Sequence, residues 1–324
     1  MKRIQSVRWS FIASILISSF QITPNAMADE DRPTRMRLDA ATIQWVNEPS
    51  GKQLPLPTGV THTRFHSALA GQEISYTIYL PPEYHTEPER RFPVIHHLHG
   101  NGGNELKSLP AAIGLHEAIV AGEVPPMILV MFNGGKSTFY KNSSDGQLPI
   151  EDIFMQEFIT HIDSTYRTIA SGKARCIEGF SMGGRGAVFF AMKYPEAFAS
   201  LFCQAGNVPR LVEMFDDTPE IYRSELYLGN DRDRWVDDDA FHNATKNQSK
   251  IKKSMQIQIA CGTKDGGHLP TVRDFHNHLL ELQIDHTYIE LKGLAHRKPQ
   301  MMKMLGSMVH SHHVDALRQN GVID

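Results

Sequence analysis

Hydrophobic and polar residues alternate over residues 60–80, most clearly in the run Ile74-Ser75-Tyr76-Thr77-Ile78-Tyr79-Leu80. A two-residue period is typical of a β-strand that buries one face. Two prolines, Pro81 and Pro82, follow directly and would stop a strand, because proline cannot donate the backbone hydrogen bond of a sheet. We therefore predict antiparallel edge strands in this segment.

Beyond residue 90 the pattern changes to short apolar runs separated by stretches of helical period. We predict strands at 92–98, 127–132, 174–178, 199–204, 255–261 and 286–291. Helices are predicted at 151–166, 184–193 and 270–283. Strands that alternate with helices form a mostly parallel sheet. The predicted fold class is therefore α/β, as a single domain with a mostly parallel central sheet, helices on both faces and an antiparallel N-terminal edge.

The first residues carry the features of an export signal. Lys2, Arg3 and Arg8 make the start basic, and residues 9–20 form an apolar stretch that is too short to span a membrane. Ala26-Met27-Ala28 then offers small residues at the positions that a signal peptidase recognises. We predict a signal peptide at 1–28, a secreted or periplasmic location and no membrane span in the mature chain. The alternative is a short hydrophobic N-terminal helix.

Two other segments stand apart from the strand and helix pattern. Residues 29–59 are rich in proline, charge and polar groups, and we interpret them as a partly ordered N-terminal arm before a domain at 60–324. Residues 207–250 carry acidic clusters, with Tyr222, Tyr227 and Trp235 between them. This stretch is either a solvated connection or a cap whose aromatic side chains face a substrate, and the sequence leaves both alternatives open.

The composition excludes one class of partner. The chain has a formal net charge of −3, and removal of the basic signal segment makes the charge more negative. A mildly acidic protein is not expected to bind nucleic acid. Cys176, Cys203 and Cys261 lie in apolar runs that resemble central strands, so we expect small buried side chains rather than disulfide halves or catalytic thiols.

The motif G-x-S-x-G occurs at Gly179-Phe180-Ser181-Met182-Gly183, between the predicted strand 174–178 and the predicted helix 184–193. In a tight strand-to-helix turn, small residues on both sides of the serine let strand and helix approach closely, and the turn lifts the hydroxyl clear of the sheet. A chance glycine-serine turn is the alternative, but the flanking elements are those that the motif requires. Ser181 is therefore the predicted nucleophile.

A serine hydroxyl needs a base to take its proton and an acid to orient that base. On this kind of sheet both follow the serine, first the acid and then the histidine, each on a loop after a later strand. Asp265 ends the short loop after strand 255–261, and His296 follows strand 286–291. The alternatives are that Asp265 is a plain turn residue or helix N-cap, and that His268 is the base. His268 lies too close to Asp265 to reach the serine while Asp265 orients it.

The oxyanion formed on attack needs two backbone N–H donors. One is the amide of Met182, which follows the nucleophile at the N-terminus of the helix. We expect the other from the loop His99-Gly100-Asn101-Gly102-Gly103-Asn104, because its glycines allow amides to point into the site. The alternative is a glycine-rich loop without this role.

Several motifs recur in the same order in one known family. They are Tyr79-Leu80-Pro81-Pro82-Glu83-Tyr84, Phe92-Pro93-Val94, His97-Leu98-His99-Gly100, Tyr166-Arg167-Thr168, Gly179-Phe180-Ser181-Met182-Gly183-Gly184, Cys261-Gly262-Thr263-Lys264-Asp265 and His296. Because of these motifs, roughly residues 70–310 resemble the esterase D-like esterases. This α/β-hydrolase group includes feruloyl and acetylxylan esterases (carbohydrate esterase family 1), enterochelin esterases and mycolyltransferases. The resemblance implies an α/β-hydrolase fold, a triad of Ser181, Asp265 and His296, and oxyanion amides at Asn101 and Met182.

The predicted function is an exported serine esterase that hydrolyses carboxylic esters. The resemblance suggests acetyl or feruloyl esters, as small molecules or on plant polysaccharide. The alternatives are an acyltransferase to a sugar alcohol and a catalytically silent hydrolase fold used for binding. No cofactor or metal is expected, because the 17 histidines include no H-E-x-x-H pattern, the cysteines are not spaced as ligands and the glycine-rich runs lack a complete phosphate-loop pattern.

Overall fold

A mostly parallel sheet organises the residues that the structure, a computed structural model, describes: 43–219 and 228–324. Its strands in chain order are β1 Val60–Ser67, β2 Gln72–Tyr79, β3 Val94–Leu98, β4 Ile128–Phe132, β5 Arg175–Phe180, β6 Ser200–Gln204, β7 Gln256–Gly262 and β8 Thr287–Leu291. Hydrogen bonds connect them in the order β1-β2-β4-β3-β5-β6-β7-β8. β1 pairs antiparallel with β2, and β2 with β4, whereas the remaining pairs are parallel. The predicted α/β fold with an antiparallel N-terminal edge is confirmed.

Helices cover both faces of this sheet. They are α1 Glu83–Thr86, α2 Leu109–Val120, α3 Ile150–Asp152, α4 Ile159–Thr165, α5 Met182–Lys193, α6 Leu211–Asp217, α7 Arg232–Asp237, α8 Ala240–Lys246, α9 Gln248–Ser254, α10 Leu269–Glu281, α11 Lys298–Leu305 and α12 Met308–Gln319. Neighbouring strand residues point to opposite faces. Ile95 therefore packs in a cluster with Leu115 of α2 and Leu317 of α12, while Leu98 packs in another cluster with Phe190 of α5.

The helix predicted at 151–166 is present but irregular. α3 and α4 are joined by a π-helical segment, Ile153–Phe158, which a 3.6-residue pattern does not predict. Phe154 and Phe158 in this segment are buried, and their ring centroids lie 5.4 and 4.6 Å from that of Phe132 in β4. Both side chains therefore pack against the same strand.

The stretch 207–250 is largely helical where it is described. Trp235 is buried and donates its Nε1–H to the Gly229 carbonyl at 2.8 Å, so it does not face a substrate. Asp238 and Asp239 are also buried: Asp238 pairs with Lys193 at 3.1 Å, and Asp239 caps α8. A solvated connection is therefore the wrong interpretation for these two carboxylates.

The described part of the predicted N-terminal arm packs on the sheet. Ile43 and Trp45 are buried, and the Trp45 carbonyl accepts a hydrogen bond from the Ser75 N–H of β2 at 2.9 Å. Ile43 and Trp45 therefore pack into the core of the domain, which was predicted to begin at residue 60.

Several predictions fall on residues that the structure does not describe. The signal peptide at 1–28, arm residues 29–42, Tyr222 and Tyr227 lie outside the described residues. Among the helices that are described, none combines the length and apolar character needed to cross a bilayer. The three cysteines are buried and unbridged, as predicted.

Candidate active site

Ser181 occupies the turn between β5 and α5. Its backbone lies at φ 59° and ψ −120°, a region that residues other than glycine rarely adopt and that a nucleophile elbow requires. The Ser181 N–H donates to the Gln204 carbonyl of β6 at 2.9 Å. A Cβ on Gly183 would lie 2.0 Å from the Leu98 carbonyl oxygen, and a Cβ on Gly179 would lie 2.4 Å from the Gly183 carbonyl carbon. Only glycine permits this close approach of strand and helix.

The loops after β7 and β8 bring Asp265 and His296 together. His296 donates its Nδ1–H to Oδ2 of Asp265 at 2.6 Å, and the Asp265 side chain is only 3% exposed. Because the proton on Nδ1 is used in this bond, a neutral His296 carries its lone pair on Nε2. This tautomer is the one that a general base needs.

The His296 ring packs against two other rings. The centroid of Phe180, which directly precedes Ser181, lies 4.6 Å from the His296 centroid. The His268 ring stacks on His296 with centroids 4.1 Å apart and planes only 7° apart. The contact with Phe180 brings the His296 imidazole, together with Asp265, to the residue that precedes Ser181.

His268 takes a position that the sequence analysis did not predict. It donates Nδ1–H to Oδ1 of Asp265 at 2.8 Å, so the carboxylate accepts from two imidazoles at once. From the sequence, His268 is predicted only as an alternative base. The signal that could have indicated the contact is its spacing, three residues after Asp265 at the start of α10.

The glycine-rich loop after β3 lies directly against the nucleophile. A Cβ on Gly100 would lie 3.6 Å from Cβ of Ser181. The Gly102 N–H donates to the Lys136 carbonyl at 2.7 Å, and the Gly103 N–H to the Gly100 carbonyl at 3.0 Å. Among the described residues, the Asn101 amide has no such backbone acceptor.

His99 holds this loop in place. Its Nδ1–H donates to the Gly100 carbonyl at 3.0 Å, and its Nε2 accepts from the Gly134 N–H at 3.3 Å. Both bonds require a neutral imidazole, and burial lowers the pKa of His99 to about 4. The Tyr140 hydroxyl also donates to the His99 carbonyl at 2.9 Å. His99 therefore acts as a neutral support for the loop.

Comparison with known proteins identifies the family. The family model described as "Putative esterase" matches residues 67–283. The chain belongs to this esterase family. Esterase Rv1288 of Mycobacterium tuberculosis is 32% identical over 146 residues, which are 44% of this chain and 31% of that protein. An endo-1,4-beta-xylanase/feruloyl esterase of Xylanibacter ruminicola is 30% identical over 149 residues, which are 43% of this chain and 20% of that protein. The chain spans about a third or less of the length of these relatives.

Solved structures share the fold of this esterase-family chain. A ferulic acid esterase superposes with a TM-score of 0.66 at 18% identity, over 79% of this chain and 98% of that one. An S-formylglutathione hydrolase from Agrobacterium tumefaciens gives a TM-score of 0.63 at 19% identity, over 80% and 95% of the two chains. At these identities the likeness shows the α/β-hydrolase fold alone.

A buried polar network lies beneath the Ser181 turn of this esterase-family chain. Glu178 of β5 accepts from Nδ1 of His97 at 2.6 Å, and the Lys298 ammonium donates to Nε2 of the same histidine at 2.9 Å. Burial would raise the pKa of Glu178, but the charge of His313, whose Nε2 lies 3.6 Å from Oε2, and the hydrogen bond from His97 bring this pKa well below its usual range. Burial lowers the pKa of Lys298 to about 8. This network was not predicted.

A cavity of about 380 Å³ lies at the opposite end of the sheet from Ser181. Ala199, Met255 and Ile284, which line it, precede β6, β7 and β8, so the cavity is at the amino ends of these strands. In an open α/β sheet, ligands bind at the carboxyl ends. We therefore assign no part of the ester chemistry to this cavity.

Proposed function

We propose that this chain is a serine esterase that hydrolyses carboxylic esters. In this proposal Ser181 is the nucleophile, His296 is the general base and Asp265 orients the base. The observation that carries the proposal is the strained Ser181 turn beside an Asp265–His296 hydrogen bond of 2.6 Å. Membership of the esterase family supports the same chemistry.

The proposed reaction passes through an acyl-enzyme. Nε2 of His296 takes the Ser181 proton while Oγ forms a bond to the ester carbonyl carbon. The imidazolium, stabilised by Asp265, then gives its proton to the alcohol oxygen as the ester C–O bond breaks. A water molecule, deprotonated by His296, attacks the acyl group and releases the acid and Ser181.

Two backbone amides are proposed to stabilise the oxyanion. Met182 is the first residue of α5, and an N–H at this position has no acceptor within its own helix. The Asn101 amide is supplied by the loop that rests against Ser181. Each donor is expected to lower the barrier by about 3 kcal/mol.

We propose acetyl or feruloyl esters on plant polysaccharide as the substrates, with no cofactor. One curated relative is named a xylanase/feruloyl esterase, which supports this class. Polysaccharides of this kind lie outside cells, so export through the proposed signal at 1–28 would place the enzyme with its substrate.

Initial rates across a substrate panel test the proposal. The panel is methyl ferulate, acetylated xylan, p-nitrophenyl acetate and a peptide, each assayed with the parent and with Ser181→Ala. We expect the parent to cleave the esters and not the peptide, and the variant to lose ester cleavage. A variant as fast as the parent on p-nitrophenyl acetate would overturn the nucleophile. A parent that cleaves p-nitrophenyl acetate alone would overturn only the substrate class.

A further inference from the structure

Arg185 is a cation close to the nucleophile, and the proposed reaction does not use it. It lies in the first turn of α5, where its N–H donates to the Ser181 carbonyl at 3.0 Å. One helical turn advances about 5.4 Å, so the Arg185 side chain leaves the helix one turn from Ser181. This end of the helix is at the carboxyl ends of the strands, where ligands bind in an open α/β sheet.

The guanidinium of Arg185 is held over an aromatic ring. Its central carbon, Cζ, lies 4.5 Å from the centroid of the Phe139 ring. The next residue, Tyr140, donates its hydroxyl proton to the His99 carbonyl at 2.9 Å, which ties this segment to the glycine-rich loop after β3. Stacking on a ring covers a face of the planar guanidinium and leaves the N–H groups at its edge open. Arg185 is therefore oriented by a segment that also contacts the glycine-rich loop.

The N–H groups of Arg185 have no acceptor in the part of the chain that the structure describes, where the side chain makes no hydrogen bond and no ion pair. The two carboxylates whose charges act on Arg185 are those of Asp238 and Asp239. Asp238 pairs with Lys141 and Lys193 at 3.4 and 3.1 Å, and Asp239 accepts backbone N–H groups at the start of α8. Burial lowers the pKa of Arg185 to about 10, as expected for a charge that loses water without gaining a hydrogen-bonded partner. The donors of Arg185 are therefore available to a ligand.

The chemistry of the donor group indicates which ligand fits. The edge of a guanidinium presents two parallel N–H groups, which match the two oxygens of a carboxylate. Such a pair is stronger than a hydrogen bond between neutral groups, and it replaces the acceptor that the protein does not supply.

We propose that Arg185 binds a carboxylate of the substrate, so that the enzyme prefers acidic esters to neutral ones. The inference rests on the proposed function and narrows its substrate class. On a polysaccharide, the carboxylate would belong to a uronic acid close to the esterified group. Its pairing with Arg185 would hold the ester carbonyl within reach of Ser181, one helical turn away.

Two matched pairs of substrates test this site. In the first pair the carboxylate is on the alcohol, as in p-acetoxybenzoate, and p-acetoxybenzamide is the neutral member. In the second pair the carboxylate is on the acyl group, as in the mono-p-nitrophenyl ester of adipic acid, and p-nitrophenyl hexanoate is the neutral member. For each protein we measure the ratio of kcat/KM for the acidic member to kcat/KM for the neutral member. Because each ratio is compared between proteins, the intrinsic reactivity of each ester cancels.

The proteins are the parent, Arg185→Met and a matched control. Arg185→Met removes the charge and keeps an unbranched side chain that can pack on Phe139. Arg210→Met is the control, because Cζ of Arg210 also lies over a phenylalanine ring, 4.0 Å from the centroid of Phe241. The donors of Arg210, however, already bond to the Asp274 carboxylate at 2.7 and 3.0 Å.

We expect the parent and Arg210→Met to have the same ratio in both pairs. Arg185→Met should lower the ratio at least tenfold in the pair whose carboxylate reaches the guanidinium. A ratio that Arg185→Met leaves unchanged in both pairs would overturn the proposal. This includes the case in which the variant slows the acidic and the neutral member equally, because Arg185 would then act on the ester or on packing.

Binding to Ser181→Ala provides a readout that does not depend on activity. The ligands are the amide analogues of the same pairs, such as p-acetamidobenzoate and p-acetamidobenzamide, and calorimetric titration gives their affinities. Ser181→Ala should bind the acidic analogue of one pair at least tenfold more tightly than the neutral one, and Ser181→Ala/Arg185→Met should bind both alike. Equal affinity of Ser181→Ala for the acidic and neutral analogues of both pairs would overturn the site. If the parent cleaves no ester, the proposed function fails, but these titrations still decide whether Arg185 binds a carboxylate.

Discussion

Two polar clusters flank the Ser181 turn, and they differ in burial. At the carboxyl ends of the strands, His268 and His296 are partly exposed around Asp265. Inside the sheet, the side chains of Glu178 and His97 are 3% and 1% exposed and bond to each other. A proton-transferring group needs a free lone pair and access to substrate, whereas a buried charge needs its partners. The exposed cluster is therefore the candidate for chemistry and the buried one for stability.

The two clusters also show that a shifted pKa does not by itself identify an active site. The pKa of Glu178 lies well below its usual range, and burial lowers the pKa of Lys298 to about 8. Shifts of this kind are often used to locate active sites. Here they mark the network under the site, so geometry has to decide between the two clusters.

The largest expected effect is on the exposed cluster. His296→Ala removes the proposed base, and we expect kcat to fall about 10⁴-fold or more, with the fold retained because the side chain is 32% exposed. Hydrolysis of p-nitrophenyl acetate and circular dichroism measure the two effects. Activity within tenfold of the parent would contradict the role of His296 and point to His268 instead.

The buried cluster should respond in the opposite way. Glu178→Gln leaves Lys298 and His313 without their counter-charge, so we expect a loss of about 3 kcal/mol in the free energy of unfolding. The folded variant should retain kcat within tenfold of the parent. Glu73→Gln is the matched control, because the Glu73–His66 pair is exposed and its loss should cost less than about 1 kcal/mol. Urea titrations measure the free energy of unfolding of both variants. Equal losses in Glu178→Gln and Glu73→Gln would contradict a special stabilising role for the buried cluster.

The buried cluster should also depend on pH. Burial lowers the pKa of His313, but Cys176 and Glu178 raise it, to about 9 in balance. A pKa raised on folding stabilises the protein below the unfolded value of about 6.5, and this contribution is lost as the pH rises through 9.

We therefore expect the stability difference between the parent and His313→Gln to be largest below pH 6.5. The difference should shrink by about 3 kcal/mol toward pH 9. The titration of Lys298 occurs in both proteins and largely cancels in the difference. Urea titrations across this range provide the measurement, and a difference that grows with pH would contradict the charged state assigned to His313.

The smallest expected effect is the loss of kcat on substitution of His268, in the exposed cluster. His268→Phe removes one hydrogen bond to Asp265, which costs about 1 kcal/mol, so kcat should fall about three- to tenfold while KM stays constant. Steady-state kinetics give both constants. A fall as large as that of His296→Ala would mean that His268 takes part in proton transfer.

Much of the fold and the arrangement of the candidate site follow from local sequence rules. Strand and helix periods placed the sheet, and the G-x-S-x-G motif led to the strained turn that the structure shows at Ser181. Asp265 and His296 were found by the order of loops after later strands, and the structure brings these two side chains together. Their catalytic roles remain predictions.

The remaining features depend on contacts between distant residues. His97 and Lys298, which bond in the buried network, are 201 positions apart in the chain. No local pattern pairs them, because the partner of a buried charge is chosen by the assembled fold. Asp238 was expected to be solvated for the same reason, because its partner Lys193 lies 45 positions earlier in the chain.

The central claim is that Ser181 forms a covalent intermediate with the help of His296. Reaction with a fluorophosphonate probe, followed by mass spectrometry of the digested protein, locates the adduct directly. The account predicts one adduct per chain on the peptide that contains Ser181, a much slower reaction in His296→Ala and none in Ser181→Ala. An adduct on another residue, or labelling of Ser181→Ala at the parent rate, would contradict it.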